Sequence, residues 1–145
     1  MDSAAKKLKT KTVKQIATFK ASPHDLYEMI MDSKRHATFS GEKAKVSRRT
    51  GGVFSVYGGW VSGKNLKLKS DRLIIQAWRG KNWPKGHYSK AMFLFTKTKT
   101  GTRLTFRQTG VPVERYPDIA KGWKTQYWQK MKASLEKTKK ANRST

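Results

Sequence analysis

The feature that most constrains the fold is one long amphipathic segment that follows a series of short strand-like segments. Large apolar residues recur at every fourth position near the C-terminus: Trp123, Tyr127, Met131 and Leu135. This spacing places them on one side of an α-helix, with Trp128 beside them, and we expect that helix over residues 118–138. Its remaining positions are rich in Lys, so only one side needs to be buried. The preceding strands must supply the surface that covers it.

Between residues 44 and 108 the apolar residues form short runs separated by glycines and polar turn residues. This pattern predicts strands at 44–47, 53–57, 60–68, 72–79, 90–97 and 102–108. Gly63 interrupts the third run and is a candidate for a β-bulge. In the last run Leu104 and Phe106 alternate with polar residues, which is typical of an antiparallel strand with one buried face.

The N-terminal part predicts one more strand and two short helices. Residues 13–21 alternate loosely and favour a strand. In the sequence Ser22-Pro23-His24-Asp25 the serine can cap a helix, the proline suits the first helical position, and the aspartate suits the positive end of the helix dipole. A second short helix is expected at 34–39.

These elements predict an α+β fold in which a curved antiparallel sheet of about six or seven strands wraps around the long C-terminal helix. Two short helices follow the first strand. We expect one domain over residues 13–138, a basic disordered tail at 1–12 and a polar tail at 139–145. At 145 residues the chain is large enough to bury a core of its own.

The charge of the chain is its most unusual compositional property. Lys and Arg number 33 against 9 Asp and Glu, a formal net charge of +24. Such a field attracts nucleic acid, acidic proteins or anionic surfaces, although a general role in solubility would explain it equally well. We expect the candidate polyanion-binding residues to share the outer face of the sheet and its adjoining turns: Arg48, Arg49, Lys64, Lys67, Lys69, Arg103 and Arg107.

Residue types that carry catalysis are scarce. The chain has no Cys, and its carboxylates and three histidines show no metal-ligand spacing, so we expect no metal and no cofactor. We predict surface positions for His24 and His36. His87 follows the Trp83-Pro84 turn and is the one histidine that we expect near a pocket. An enzyme is therefore the weakest hypothesis for this chain.

The aromatic residues have two interpretations. They form the core between sheet and helix, or several of them line a pocket for an apolar molecule, and one residue can do both. The candidates for such a cavity are Phe54, Trp78, His87, Phe93, Phe106, Trp123, Tyr127 and Met131. The segment from Trp78-Arg79 to Gly86-His87, with Trp83-Pro84 between them, is expected to form the bend between two strands.

The residues in this order resemble the helix-grip (START-like, SRPBCC) superfamily. Within it the chain is similar to the C-terminal domain of activators of the heat-shock protein 90 ATPase and to their single-domain homologues, over about residues 13–135. The matching motifs are short and follow one another along the chain: Trp60 and Gly63 before Leu66, Trp78-Arg79, Trp83-Pro84, Gly86-His87, Thr102-Arg103-Leu104, Gly110-Val111-Pro112, Gly122-Trp123 and Tyr127-Trp128.

The resemblance implies a cavity between sheet and helix that serves apolar ligands or chaperone contacts. It also implies that the two-domain activators make their main chaperone contacts through a separate N-terminal domain, for which we expect no counterpart in this chain. The first hypothesis is therefore a non-enzymatic binding module for an apolar small molecule, a chaperone or another acidic protein. The alternative is a basic protein that binds nucleic acid or the ribosome non-specifically.

The remaining expectations concern location and assembly. No apolar run approaches the roughly 20 residues that a membrane span needs, and Met1 to Thr12 lacks the apolar segment of a secretory signal. We expect a cytoplasmic protein, with the nucleus as the second location, and a monomer.

Overall fold

The computed structural model describes residues 8–144, and the side chains of residues 8–141. The strands are β1 (Thr10–Phe19), β2 (Lys45–Val46), β3 (Val53–Val56), β4 (Val61–Lys69), β5 (Leu73–Gly80), β6 (Ser89–Thr98) and β7 (Gly101–Pro112). The helices are α1 (Pro23–Met31), α2 (Ser33–Ser40), α3 (Tyr116–Gly122), a π-helical segment (Trp123–Trp128) and α4 (Gln129–Ser144). A single 3-10 turn (Tyr57–Gly59) lies between β3 and β4.

The strands form one antiparallel sheet of seven strands in the order β1-β7-β6-β5-β4-β3-β2. Each strand from β2 to β6 pairs with the next along the chain, and β1 pairs with β7. The sheet covers the C-terminal helix, which confirms the predicted α+β helix-grip fold. None of the helices within residues 8–144 is long and apolar enough to cross a membrane.

Three elements differ from the prediction by several residues: β1, the C-terminal helix, and β7, which runs to Pro112 rather than ending at residue 108. β1 begins at Thr10 rather than at residue 13, because its first residues pair with Val111 and Pro112 at the end of β7. Residues 10–12, which were predicted to belong to the basic tail, are therefore part of the sheet. Residues 1–7 of that tail lie outside the described part of the chain. At the other end, helix continues through Ser144 rather than ending at residue 138.

The two short helices begin as their sequences predict. The Ser22 hydroxyl accepts a hydrogen bond from the backbone N–H of Asp25 at 3.1 Å, and Pro23 is the first residue of α1. The Asp32 carboxylate accepts one from the backbone N–H of Arg35 at 2.9 Å at the start of α2. Each cap satisfies a backbone N–H that has no partner within its own helix.

The strand register shows where the sheet bends. Between Asn65 and Lys67 the pairing of β4 with β5 shifts by one residue, so the bulge is at Leu66 and the predicted bulge at Gly63 is wrong. A second bulge lies on β7, where Gly110 has a φ of 81° that suits glycine. Bulges increase the local bend and twist of a strand, and these two contribute to the curvature of the sheet around the helix.

Gly63 has a different role from the one predicted. It pairs with Phe54 on β3 and Trp78 on β5, whose side chains are both buried. A Cβ atom at this position would overlap the Ala77 carbonyl oxygen and lie 2.9 Å from the Phe54 ring. The glycine therefore lets the backbone of β5 and a core aromatic approach β4 closely.

We expect Gly63→Ala to lower the free energy of unfolding by about 2 kcal/mol or more, because the new methyl group overlaps backbone that cannot move independently. Gly122→Ala is the matched control, since Gly122 is helical and a Cβ there meets nothing within 4 Å. It should raise the free energy of unfolding by roughly 0.5–1 kcal/mol. Urea denaturation followed by tryptophan fluorescence measures both, and equal effects would contradict the packing argument.

Candidate functional site

A cleft of about 500 Å³ lies between the C-terminal helix and one end of the sheet. Five of its twelve lining residues are aromatic, and its charged groups are exposed or half-buried. The residues that line it are Glu42, Tyr57, Trp60, Val61, Trp78, Asp118, Ile119, Gly122, Trp123, Gln126, Tyr127 and Lys130. They come from the α2–β2 loop, the 3-10 turn, β4, β5 and three consecutive parts of the C-terminal helix.

The helical wall of the cleft includes the π-helical segment. At its end the backbone N–H of Gln129 bonds to the carbonyl oxygen of Lys124, five residues earlier. The wider turn allows Trp123, Tyr127 and Trp128 all to be buried on the sheet side. Single turns of π-helix are rare and frequently occur at functional sites.

The opposite wall contains an unusual backbone conformation. Tyr57 has a φ of 53° and is followed by Gly58 and Gly59 with φ of 66° and 96°. A left-handed conformation is uncommon for a residue other than glycine and costs conformational energy. The Tyr57 hydroxyl donates a hydrogen bond to the carbonyl oxygen of Gln126 on the helix. This contact links the turn to the helix across the cleft.

Two indole groups attach the helix to the sheet below the cleft. Trp123 donates through Nε1 to the side-chain oxygen of Gln108 at 2.7 Å, and Trp128 donates to that of Gln15, also at 2.7 Å. Gln108 in turn donates to the Ser89 hydroxyl, 2.8 Å away. These bonds are directional, so they fix which residues of helix and sheet face each other.

His36 is buried, and the predicted surface position is wrong. Only 1% of the residue is exposed, and its Nε2 lies 3.0 Å from the Tyr127 hydroxyl. Its ring is also 4.7 Å from that of Phe39, centroid to centroid. Lys34 and Arg35 beside it suggested solvent, but α2 packs His36 against the C-terminal helix. Burial lowers the pKa of His36 to about 4, so the ring is neutral at pH 7.

The tyrosines at the cleft are held in their neutral forms. Burial raises the pKa of Tyr127, and the nearby Tyr57 raises it further. Burial likewise raises the pKa of Tyr57, with a smaller contribution from the negative charge of Glu42. Both hydroxyls therefore remain protonated at neutral pH and can form hydrogen bonds without carrying charge.

The structure divides the predicted cavity residues into two groups. Trp78, Trp123 and Tyr127 line the cleft. The others are not part of its lining: Phe54, Phe93, Phe106 and Met131, which are buried in the core, and His87. Tyr57, Trp60 and the charged groups of the lining were not predicted from the sequence as cavity residues. The glycines that follow Tyr57 were the available signal, since they marked a tight turn.

His87 has a structural hydrogen bond at a distance from the cleft. Its Nε2 lies 2.7 Å from the carbonyl oxygen of Gly110 at the β7 bulge. The ring is 6.0 Å from that of Trp83, centroid to centroid. The segment between β5 and β6 thus forms the bend that the sequence predicts, and His87 joins this bend to β7.

The predicted polyanion-binding residues lie on the other side of the sheet from the helix, apart from two in the β2–β3 turn. Lys64, Lys67 and Lys69 are exposed on β4, and Arg103 and Arg107 are exposed on β7. These two strands are separated by β5 and β6, so the bases form two groups on that face. The function of this face stays a prediction.

The two arginines of the β2–β3 turn differ from each other. Arg48 donates to the Glu28 carboxylate at 2.6 Å, and that hydrogen bond is the main cause of its raised pKa. Arg49 is exposed, and its backbone carbonyl accepts a hydrogen bond from Asn65. Arg48 therefore has an intramolecular partner that would compete with any polyanion.

One group of side chains within residues 8–144 has the composition of a metal site. His24, Glu28 and Asp71 can place one ligand atom each within 4.8 Å of one another. All three side chains already have partners, because Glu28 binds Arg48 and His24 Nδ1 lies 3.0 Å from Asp71. The group is better explained as two interactions that hold α1 against the β2–β3 turn and the loop after β4.

The fold and the cleft together define a helix-grip protein, in which a curved antiparallel sheet and one long helix enclose a site between them. The chain belongs to the family described as "Activator of Hsp90 ATPase homolog 1-like protein", whose model matches residues 20–136. This result confirms the resemblance found in the sequence.

Individual relatives agree with the family match. An activator of 90 kDa heat shock protein ATPase homolog from Dictyostelium discoideum is 32% identical over 136 residues, 93% of this chain and 36% of the relative. Homolog 1 from Homo sapiens is 28% identical over 118 residues, 81% of this chain and 35% of the relative. The chain thus spans about a third of the length of these relatives.

A solved structure shows the same fold. The crystal structure of an HSP90 activator from Plasmodium falciparum superimposes with a TM-score of 0.75 at 19% identity, and covers 88% of this chain and 96% of that one. At this level of identity the match establishes the architecture only.

The buried His36 should make stability depend on pH. Its folded pKa of about 4 is below its ordinary value of 6.5, so between these values the unfolded chain binds a proton that the folded chain does not. The free energy of unfolding should therefore fall by up to roughly 3 kcal/mol as the pH falls from 6.5 to 4. His36→Phe should remove this part of the dependence, whereas His24→Gln, at an exposed position, should retain it. Urea denaturation at several pH values measures the free energy of unfolding. If that free energy falls with pH to the same extent in wild type and in His36→Phe, the assignment is wrong.

Proposed function

We propose that this protein is a non-enzymatic binding module that holds a small, largely apolar molecule in the cleft between the sheet and the C-terminal helix. The observation that carries the proposal is the cleft itself. Its volume of about 500 Å³ falls within the range of small-molecule sites, and five of its lining residues are aromatic. A few polar groups among apolar walls are typical of sites that orient a ligand.

The irregular backbone around the cleft supports this proposal. The π-helical segment provides Trp123 and Tyr127 to one wall, and the left-handed Tyr57 belongs to the other. Both features cost energy that regular helix and turn would not. Their coincidence at one cleft favours a role in shaping it.

The chemistry of the lining favours binding over catalysis. General acid–base catalysis at neutral pH needs a group whose pKa lies near 7. Tyr57 and Tyr127 have raised pKa values, and the Tyr57 hydroxyl already donates a hydrogen bond to a backbone carbonyl oxygen. The Lys130 ammonium donates to the carbonyl oxygen of Ser40, 3.0 Å away, and so has a structural role.

Gly122 allows a direct test of the cleft. It lines the cleft, its backbone is helical, and a Cβ atom there meets nothing within 4 Å. We expect Gly122→Leu to fill the cleft and to weaken binding of a neutral aromatic probe, 3-tert-butylphenol, at least tenfold. Gly122→Ala, the matched control, should bind within about threefold of wild type. Titrations followed by the tryptophan indole N–H resonances measure these affinities.

Two results would count against the binding-module proposal. One is binding of the probe to Gly122→Leu with unchanged affinity, which would place it elsewhere on the protein. The other is the absence of any indole shift in wild type at millimolar probe. Native mass spectrometry of gently purified protein provides an independent check, because a retained ligand appears as a mass increment that Gly122→Leu should lose.

The names of the relatives favour a second candidate function, contact with a 90 kDa heat shock protein ATPase. The match covers most of this chain but about a third of each relative. We therefore propose binding to that ATPase, with any change in its turnover left to measurement. The exposed bases on the outer face of the sheet suit an acidic partner surface.

We expect wild type to bind the purified ATPase more weakly as salt is raised, because the proposed contact is electrostatic. Arg103→Glu with Arg107→Glu should weaken binding about tenfold or more. Gly122→Leu should have no effect, since the cleft lies on the other side of the sheet. Calorimetry measures the binding, and ATP turnover is measured in parallel. If this protein neither binds the ATPase nor changes its turnover at low salt, the chaperone proposal is wrong.

A further inference from the structure

Two carboxylates lie at the mouth of the cleft in a chain that has few. The sequence contains 9 Asp and Glu against 33 Lys and Arg. Glu42 and Asp118 both line the cleft and are both exposed. Among the described side chains, those of residues 8–141, neither has a cation at ion-pair distance, whereas Glu28 and Asp71 each contact a basic side chain. The cleft therefore carries two carboxylates without an ion-pair partner against one ammonium, that of Lys130, although the protein as a whole is strongly positive.

The walls of the cleft consist of groups that attract cations. The π face of an aromatic ring carries partial negative charge and binds ammonium groups, most strongly for tryptophan. Tyr57 and Trp60 are the accessible rings near the mouth, and Trp78, Trp123 and Tyr127 are the buried ones. The protein shows this preference itself, because the Lys130 ammonium lies 5.9 Å from the centroid of the Tyr57 ring.

We propose that the ligand of this cleft is cationic, with a substituted ammonium group near Glu42, Asp118, Tyr57 and Trp60 and an apolar body against the buried aromatic rings. The proposal rests on the proposed function, that the cleft holds a small molecule. A substituted ammonium fits better than a primary amine, since an apolar wall offers few acceptors for N–H groups.

An anionic ligand fits the same cleft less well. The two carboxylates would repel it, and Lys130, the one basic residue in the lining, is already bonded to the Ser40 carbonyl oxygen. The bases of β4 and β7 are on the far face of the sheet and point away from the site. Local charge, rather than net charge, decides the preference at this distance.

Three probes of similar shape test the charge preference. They are 3-hydroxyphenyltrimethylammonium, its neutral isostere 3-tert-butylphenol, and 3-hydroxybenzenesulfonate. We expect the ammonium probe to bind about tenfold more tightly than the neutral one, and the sulfonate more weakly than both. Titration of isotope-labelled protein at low ionic strength, followed by the indole N–H resonances, gives the three dissociation constants.

Matched variants assign the preference to the carboxylates. Glu42→Gln with Asp118→Asn should weaken binding of the ammonium probe about three- to tenfold and leave that of 3-tert-butylphenol unchanged. Lys130→Met should strengthen binding of the ammonium probe about threefold, because a like charge is removed. Glu114→Gln, an exposed carboxylate outside the cleft lining, is the control and should change neither.

The outcomes separate this inference from the function on which it rests. If the neutral probe or the sulfonate binds as tightly as the ammonium probe, and Gly122→Leu abolishes that binding, the cationic ligand is wrong and the binding module stands. If the ammonium probe binds but Gly122→Leu does not weaken it, both proposals fail. An unchanged affinity in the double carboxylate variant also overturns the inference.

Discussion

The arrangement of this protein depends on two hydrogen bonds, one buried and one half-buried, that join tryptophan indoles to glutamine side chains. Trp123 donates to Gln108 on β7, and Trp128 donates to Gln15 on β1. The amide of Gln15 also donates to the Ala120 carbonyl oxygen at 2.8 Å, so it holds the helix at two points. A buried polar group without a partner costs about 1–3 kcal/mol. Sliding or rotating the helix would break these bonds, whereas apolar contacts alone would tolerate small displacements.

The cleft results from the helix conformation that these two hydrogen bonds require. Placing Trp123, Tyr127 and Trp128 on one side requires the wider turn of the π-helical segment. Gly122, just before it, has no side chain to fill the space beside Trp123 and Ile119. Tyr57 then contacts the helix from the opposite wall. The aromatic residues therefore both build the core and line the site, which is the dual role that the sequence suggested.

Local signals made most of the fold predictable. Three such signals depend only on neighbouring residues, and all three appear in the structure. They are the alternation of Leu104 and Phe106 with polar residues, the helix cap at Ser22, and the apolar residues at every fourth position from Trp123. His36 was mispredicted for the same reason. Its neighbours along the chain are charged, whereas its neighbours in space are Phe39 and Tyr127.

The sequence by itself determined the order of the elements, the buried side of the C-terminal helix and the excess of positive charge. Only the tertiary structure decided where the cleft lies and what charge it carries. Glu42, Trp78 and Asp118 are far apart along the chain and meet because the sheet curves around the helix. Periodicity reports which face of an element is buried, but contact between distant segments depends on strand register, bulges and helix position, none of which a local pattern contains.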